Sequence, residues 1–233
     1  MARRNQKERG SPAQVGKRLA QTALIAVGMT ALIVGFVAMK TAHDVEMFEP
    51  KFELVDFKDA SQSFTETQMK EVLGLHDEIY EASFGGSPVQ YTCYAFAENL
   101  VEVGSAVTVS PDETWPILDR VAPVKAFDTR FAPAVEHAMN LAKAKPKRVF
   151  AVLFQSDGGA SDWVKLDQAA KKLAKVKNVA FVAVTGATPE CRIRLRKAME
   201  PMGDRFLACD PADTNAATAT KLANLVKRTR GNL

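Results

Sequence analysis

Arg148-Val149-Phe150-Ala151-Val152-Leu153-Phe154, running into Gln155-Ser156-Asp157-Gly158-Gly159, decides the fold. Six consecutive apolar residues after Arg148, closed by a Ser-Asp-Gly-Gly turn, read as a strand buried on both faces. Outward from it, helical and strand-like segments alternate. A helix is expected over 163–176, where Leu166, Ala169, Ala170 and Leu173 share one face, then a strand over 179–184. A helix over 189–199, a strand over 205–208 and a helix over 216–228 complete that side. On the amino-terminal side a strand is expected over 52–57 and a helix over 64–82. Gly85-Gly86-Ser87-Pro88 then breaks the chain before a strand over 89–96. A third, short strand falls at 100–103 or 106–109, and a helix ends near Ala144 with Pro133 in its first turn. The alternation predicts an α/β fold: a doubly wound, mostly parallel sheet with helices on both faces. Ligands of such open sheets bind at the carboxyl ends of the strands.

Composition narrows the partners. The 233 residues carry a formal charge of +4 with 47% hydrophobic and 25% charged residues, ordinary values for a globular chain. The charge is unevenly placed. Arg3, Arg4, Lys7, Arg9, Lys17 and Arg18 against Glu8 put +5 into residues 1–18, leaving the remainder at −1. A body without a basic excess lacks the patch that nucleic acid requires, so no nucleic-acid partner is expected.

Leu19 to Met39 follows the tail as 21 residues without a charge. At about 1.5 Å per residue a helix of that length spans roughly 30 Å, the hydrocarbon thickness of a bilayer. A cleaved signal peptide and a buried core helix are the alternatives. The run exceeds a signal h-region and ends without a good small-x-small cleavage site, which favours an uncleaved transmembrane anchor. Its amino-terminal flank is basic, and the other flank carries Asp44, Glu46, Glu49, Glu53 and Asp56. The positive-inside rule then keeps 1–18 in the cytoplasm and sends the body to the extracytoplasmic side, the periplasmic face of the inner membrane if the source is bacterial. Gly28, Ala31, Gly35 and Ala38 form a small-residue stripe on the span, suited to a helix-helix contact in lipid. The expected organisation is tail 1–18, span 19–39, linker 40–50 and a folded domain over 51–230.

Several chemistries lose their warrant. Neither G-x-G-x-x-G nor G-x-x-x-x-G-K-[ST] occurs, no Ser stands in a G-x-S-x-G elbow, and no C-x-x-C suggests zinc. His43, His76 and His137 have no close-spaced partner, and each reads as a surface or packing residue.

The strand over 52–57 leads into Asp59-Ala60-Ser61-Gln62-Ser63, a carboxylate and two hydroxyls at alternate positions. Alone, such residues are also ordinary turn and cap formers. Asp157 closes the 148–154 strand at the same sheet edge, and Thr129 in Asp128-Thr129-Arg130-Phe131-Ala132-Pro133-Ala134-Val135 stands just before a helix. Oxygen-only donors from three loops suit a hard cation such as Mg²⁺, with Mn²⁺ or Ca²⁺ as alternatives.

With these residues in view, the chain resembles the von Willebrand factor type A (vWA) family over about residues 50–230. The family's metal-ion-dependent adhesion site consists of D-x-S-x-S, a separate Thr and a distant Asp. Those positions match Asp59, Ser61, Ser63, Thr129 and Asp157 here. Phe96 and the Phe131-to-Val135 run are also similar to the family. Two positions depart from it: Gln62 stands where Gly is frequent, and Asp128 precedes Thr129 where Gly is usual. The resemblance implies a protein-interaction module without catalytic residues, in which Ser61, Ser63 and Thr129 contact the ion directly. Asp59 and Asp157 would act directly or through water, and a partner protein's acidic side chain would complete the coordination. Asp128 would strengthen metal binding or repel such a ligand.

Cys93 falls inside a strand and reads as a buried thiol. Cys191 and Cys209 fall at the site's sheet edge; if their strands are neighbours, as in the vWA fold, a disulfide between them is conceivable in an extracytoplasmic domain, with two independent thiols as the alternative. Three functional readings stand. One is a membrane-anchored, metal-assisted binding module within a larger envelope assembly. A second is a structural vWA domain with a vacant site. The third is a metal-dependent phosphatase or hydrolase built on Asp59. That last reading lacks a general acid two residues on, where Ser61 stands, and has no evident catalytic Lys or His.

Overall fold

In the computed structural model, residues 49–61, 66–123, 126 and 128–233 are described. The basic tail, the expected span over 19–39 with its Gly28, Ala31, Gly35 and Ala38 stripe, most of the linker, and Ser63 lie outside them. Among the described residues no helix is long and apolar enough to cross a membrane.

The strands are β1 (Phe52–Asp59), β2 (Val89–Phe96), β3 (Leu100–Thr108), β4 (Val149–Gln155), β5 (Val179–Thr185) and β6 (Phe206–Ala208). The helices are α1 (Glu66–Phe84), α2 (Trp115–Leu118), α3 (Phe131–Ala144), α4 (Trp163–Leu173), α5 (Pro189–Ala198) and α6 (Asn215–Gly231). The sheet order is β3-β2-β1-β4-β5-β6, with β3 antiparallel and every other pairing parallel. The chain thus starts at the centre of the sheet, winds outward to β3, and returns through β4 to wind the other way. The doubly wound α/β expectation is what the described residues adopt.

β4 and β5 are buried along their whole length, as continuous apolar strands require. One set of alternate side chains packs under α3, α4 and α5, with Phe57, Phe96, Phe131 and Phe154 at its middle. The other set packs under α1, α2 and α6, around Tyr80, Tyr91, Phe181 and Leu222. At the amino end of β1 the buried Glu53 is held by Lys145 at 2.8 Å and Arg148 at 3.2 Å. Glu53 and Asp56, which the sequence presents as part of an acidic flank, are buried inside β1.

One expectation needs correction. The segment after β2 forms one nine-residue strand rather than a short one at 100–103 or 106–109. Gly104 pairs with Cys93 and Glu102 with Tyr94, so Val103 is the extra residue at an irregularity of the β2–β3 pairing. The absent side chain of Gly104 makes room there: a Cβ would stand 3.3 Å from Ile117 of α2. The 3-10 turn Pro111–Glu113 and the single helical turn of α2 were not foreseen, being too short to show a periodicity.

Candidate functional site

The three loops expected to converge do leave the same edge of the sheet. β1 ends at Asp59, beside β2, which ends at Phe96, and β4, which ends at Gln155. The amide of Ala60 donates to Phe96 O at 3.0 Å, and that of Arg130 donates to Ala97 O at 3.0 Å. The Asp59 and Thr129 loops are therefore both fixed on the end of β2.

Asp59 is 4% exposed, and both of its oxygens accept hydrogen bonds. The Ser61 amide donates to Oδ1 at 2.8 Å and the Ser156 hydroxyl to Oδ2 at 2.6 Å. Ser156 Oγ in turn accepts from the Gly158 amide at 3.0 Å, so the carboxylate, the hydroxyl and the turn that carries Asp157 form one chain. Burial pushes the Asp59 carboxyl above its ordinary range; the bonds from Ser156 and Ser61 work against this, and the nearby Asp157 charge adds to it. Among the described residues no Lys, Arg or His forms an ion pair with Asp59 or Asp157.

Asp157 is held by its backbone: its carbonyl accepts from the Thr188 amide at 2.9 Å, and its Oδ1 accepts from Gly159 N at 2.9 Å. Gly158 has φ +81°, and a Cβ there would lie 3.0 Å from Ala187, Cys191 and Leu195. Both the backbone angle and the close approach require glycine. Thr129 is buried, and its carbonyl accepts from Ser161 N at 3.1 Å.

Two groups that spacing did not single out hold these loops in place. Ser156 is completely buried and positions Asp59. Asp162 directly precedes α4, where it would read as that helix's cap, yet it makes no side-chain cap bond there. Its carboxylate reaches across to the start of α3 and accepts from Phe131 N at 3.1 Å and Ala132 N at 2.9 Å. Nothing local signals that role, since the partners are 30 and 31 residues away.

Four of the five expected donors, Asp59, Ser61, Thr129 and Asp157, thus lie on interlinked loops at the carboxyl edge; the fifth, Ser63, lies outside the described residues. Among the described residues no group of three or more His, Cys, Asp or Glu is placed to hold a metal. A set of two carboxylates with hydroxyls would be of a different kind, and its chemistry fits a hard cation: acceptor oxygens, and among the described residues no protein cation paired with either carboxylate. Asp128 does not point unpaired negative charge at the site. Ser161 and Arg130, whose Nε is 2.9 Å away, hold its carboxyl below the usual range. An open cavity of about 260 Å³ adjoins Ala60, with Phe96, Glu98, Asn99 and Val101 in its lining. Cys93, Cys191 and Cys209 are free thiols, so the conceivable Cys191–Cys209 disulfide is not formed. Burial pushes the Cys209 thiol up to about 12.

No model of a protein family matches the sequence, and a search of curated proteins gives no match. Solved structures do match. An aerotolerance-related membrane protein from Bacteroides fragilis superposes with a TM-score of 0.57 at 12% identity, covering 76% of this chain and 99% of that one. A von Willebrand factor type A protein from Catenulispora acidiphila gives 0.53 at 14% identity, over 78% of this chain and 43% of that one. The manganese-loaded TRAP protein of Plasmodium vivax gives 0.52 at 14% identity, over 77% and 73%. At these identities the likeness is one of architecture, and the chain has the fold of von Willebrand factor type A domains.

Proposed function

We propose that this chain is a membrane-anchored interaction module, not an enzyme, that binds a partner protein through a divalent cation held by Asp59, Ser61, Ser63, Thr129 and Asp157. The observation that carries the reading is the state of Asp59. It is a buried carboxylate with both oxygens fixed by hydrogen bonds, next to a second carboxylate, and among the described residues neither is paired with a protein cation. A cation is the natural complement to two such charges. Mg²⁺ suits the donors first, with Mn²⁺ or Ca²⁺ next, and the manganese bound by the structurally similar Plasmodium vivax protein is in line with this.

The roles divide by chemistry. Asp59 and Asp157 supply charge, while the hydroxyls of Ser61, Ser63 and Thr129 supply neutral oxygens. A bound ion with so few charged ligands keeps a positive character that a partner's carboxylate can meet. The cavity beside Ala60 offers that partner apolar contact next to the charge. Residues 19–39 would anchor the chain with its N-terminus in the cytoplasm. The small-residue stripe would support a helix contact within a larger envelope assembly. The Bacteroides fragilis neighbour, described as a membrane protein, fits this placement.

Calorimetric titration of the full chain with Mg²⁺ and Mn²⁺ tests the reading. One ion is expected to bind, and Asp59→Ala and Thr129→Ala are each expected to abolish binding. Binding unchanged in both variants would overturn the site. Partner capture that persists in chelator would instead favour a structural domain. Metal-dependent phosphate-ester turnover lost in Asp59→Ala would favour a hydrolase.

A further inference from the structure

Three residues before Asp59, on the opposite face of β1, lies a second and wholly internal set of ionisable groups. Asp56 and His76 are both 0% exposed, and His76 Nε2 stands 3.4 Å from Asp56 Oδ2. The same Oδ2 accepts from Gln155 Nε2 at 2.7 Å and from the Tyr91 hydroxyl at 3.2 Å. On the other side of the ring, His76 Nδ1 lies 3.1 Å from Asp77 Oδ1, which also accepts from Trp115 Nε1 at 3.2 Å. The imidazole therefore lies between two carboxylates, one from β1 and one from its own helix.

The hydrogen bonding of this cluster is incomplete in an informative way. Asp56 Oδ1, His76 Nε2 and Gln155 Oε1 are buried without a hydrogen-bond partner among the described residues. A neutral ring carries one N–H, so whichever nitrogen holds it, the other presents a lone pair to a carboxylate oxygen, Asp56's at Nε2 or Asp77's at Nδ1, and acceptor faces acceptor. One further proton on either group resolves this contact. The other groups that face the pair are Lys58 on β1, Tyr91 and Cys93 on β2, Gln155 on β4, and Trp115 at the start of α2. Lys58 donates to Leu118 O at 3.1 Å, so it is already engaged.

We propose that Asp56 and His76 share one exchangeable proton whose uptake in mildly acidic solution clamps α1 onto the sheet. His76 is on α1 and Asp56 is on β1, so the contact ties together two elements that are consecutive in the chain. With the proton bound, both ring nitrogens meet their carboxylates as donors. Without it, one of them meets a carboxylate oxygen with a lone pair, and α1 is held less firmly. The proposal stands whether or not the site at Asp59 holds a metal.

The direction of the pH effect follows from linkage. Burial, opposed by the His76 charge and by Tyr91, raises the Asp56 carboxyl from 3.8 to about 6. The folded chain thus keeps a proton that the unfolded chain has released between those values. The stability this contributes is fully present below the usual carboxylate range and is lost as pH rises through about 6.

Hydrogen exchange of the full chain, read on peptides covering α1 and corrected for intrinsic rates, tests this at pH 5 and 7.5. Protection of α1 is expected to be about tenfold greater at the lower pH, and Asp56→Asn is expected to abolish the difference. Equal protection at the two pH values, or a difference that survives Asp56→Asn, would overturn the proposal. The unmodified chain offers a second readout through the side-chain carboxyl carbon of Asp56. Its signal should move as pH passes through about 6, and an unmoved signal would sink the idea without recourse to any variant.

Discussion

On the face under α3, α4 and α5, the aromatic rings meet one another: Phe154 stacks on Phe57 at 4.8 Å and on Phe131 at 5.1 Å, with Phe96 edge-on at 5.5 Å. On the face under α1 and α6, the same central strands contribute Asp56, Tyr91 and Gln155 to a polar cluster with His76. One face is held by dispersion and exclusion of water, which tolerates small displacements. The other depends on a few directional contacts, whose loss leaves a desolvated group behind. Asp59, at the carboxyl end of β1, belongs to neither core: its hydrogen bonds are spent on fixing its orientation. Position within one strand thus separates a carboxylate at the sheet edge from one between the sheet and α1.

Removing a ring from the aromatic face should have the largest effect. Phe154→Ala is expected to cost about 3–5 kcal/mol, measured by urea denaturation, since a fully buried ring leaves a cavity among three others. Tyr91→Phe probes the polar face by deleting one donor to Asp56 while keeping the ring. The expected cost is about 1–2 kcal/mol at pH 7.5, where the carboxylate most needs its donors. Should the two costs come out equal, the contrast between the faces would be wrong. Asp162→Ala removes the acceptor for two amides at the start of α3. It should cost about 1 kcal/mol and weaken metal affinity through Thr129 rather than through any contact with the ion. The smallest effect is expected at the surface, where Lys172 and Glu136 are 3.3 Å apart and largely exposed. Lys172→Ala should change stability by less than about 0.5 kcal/mol, and 0.5 M salt should erase even that.

The sequence made the aromatic face far more legible than the polar one. Continuous apolar runs such as Val149–Phe154 announce a strand buried on both sides, and the helices over them show period-3.6 patterns, as at Leu166, Ala169, Ala170 and Leu173. That Asp59, Ser61, Thr129 and Asp157 share one sheet edge was legible because position relative to strands and helices sufficed. His76 was not, because its meaning comes from Asp56, twenty residues earlier and across a helix-sheet contact that no spacing encodes. Asp162 went unread for a related reason: its local context is a helix start, and the tertiary structure uses the carboxylate elsewhere. The short strand expected at 100–103 or 106–109 is one longer β3, which runs through Gly104, where the missing side chain lets α2 approach.

The cross-helix reach of Asp162 has a mechanical consequence. The loop that follows β4 carries Asp157, donates from Ser161 to Thr129 O, and closes off the first amides of α3 through Asp162. It cannot shift by itself. A ligand that pulls on Asp157 must carry the Thr129 turn and the start of α3 along with it, or else expose amides that have no other acceptor. The site is therefore built to respond as one piece: small forces leave it unchanged, and a sufficiently strong pull displaces a helix end.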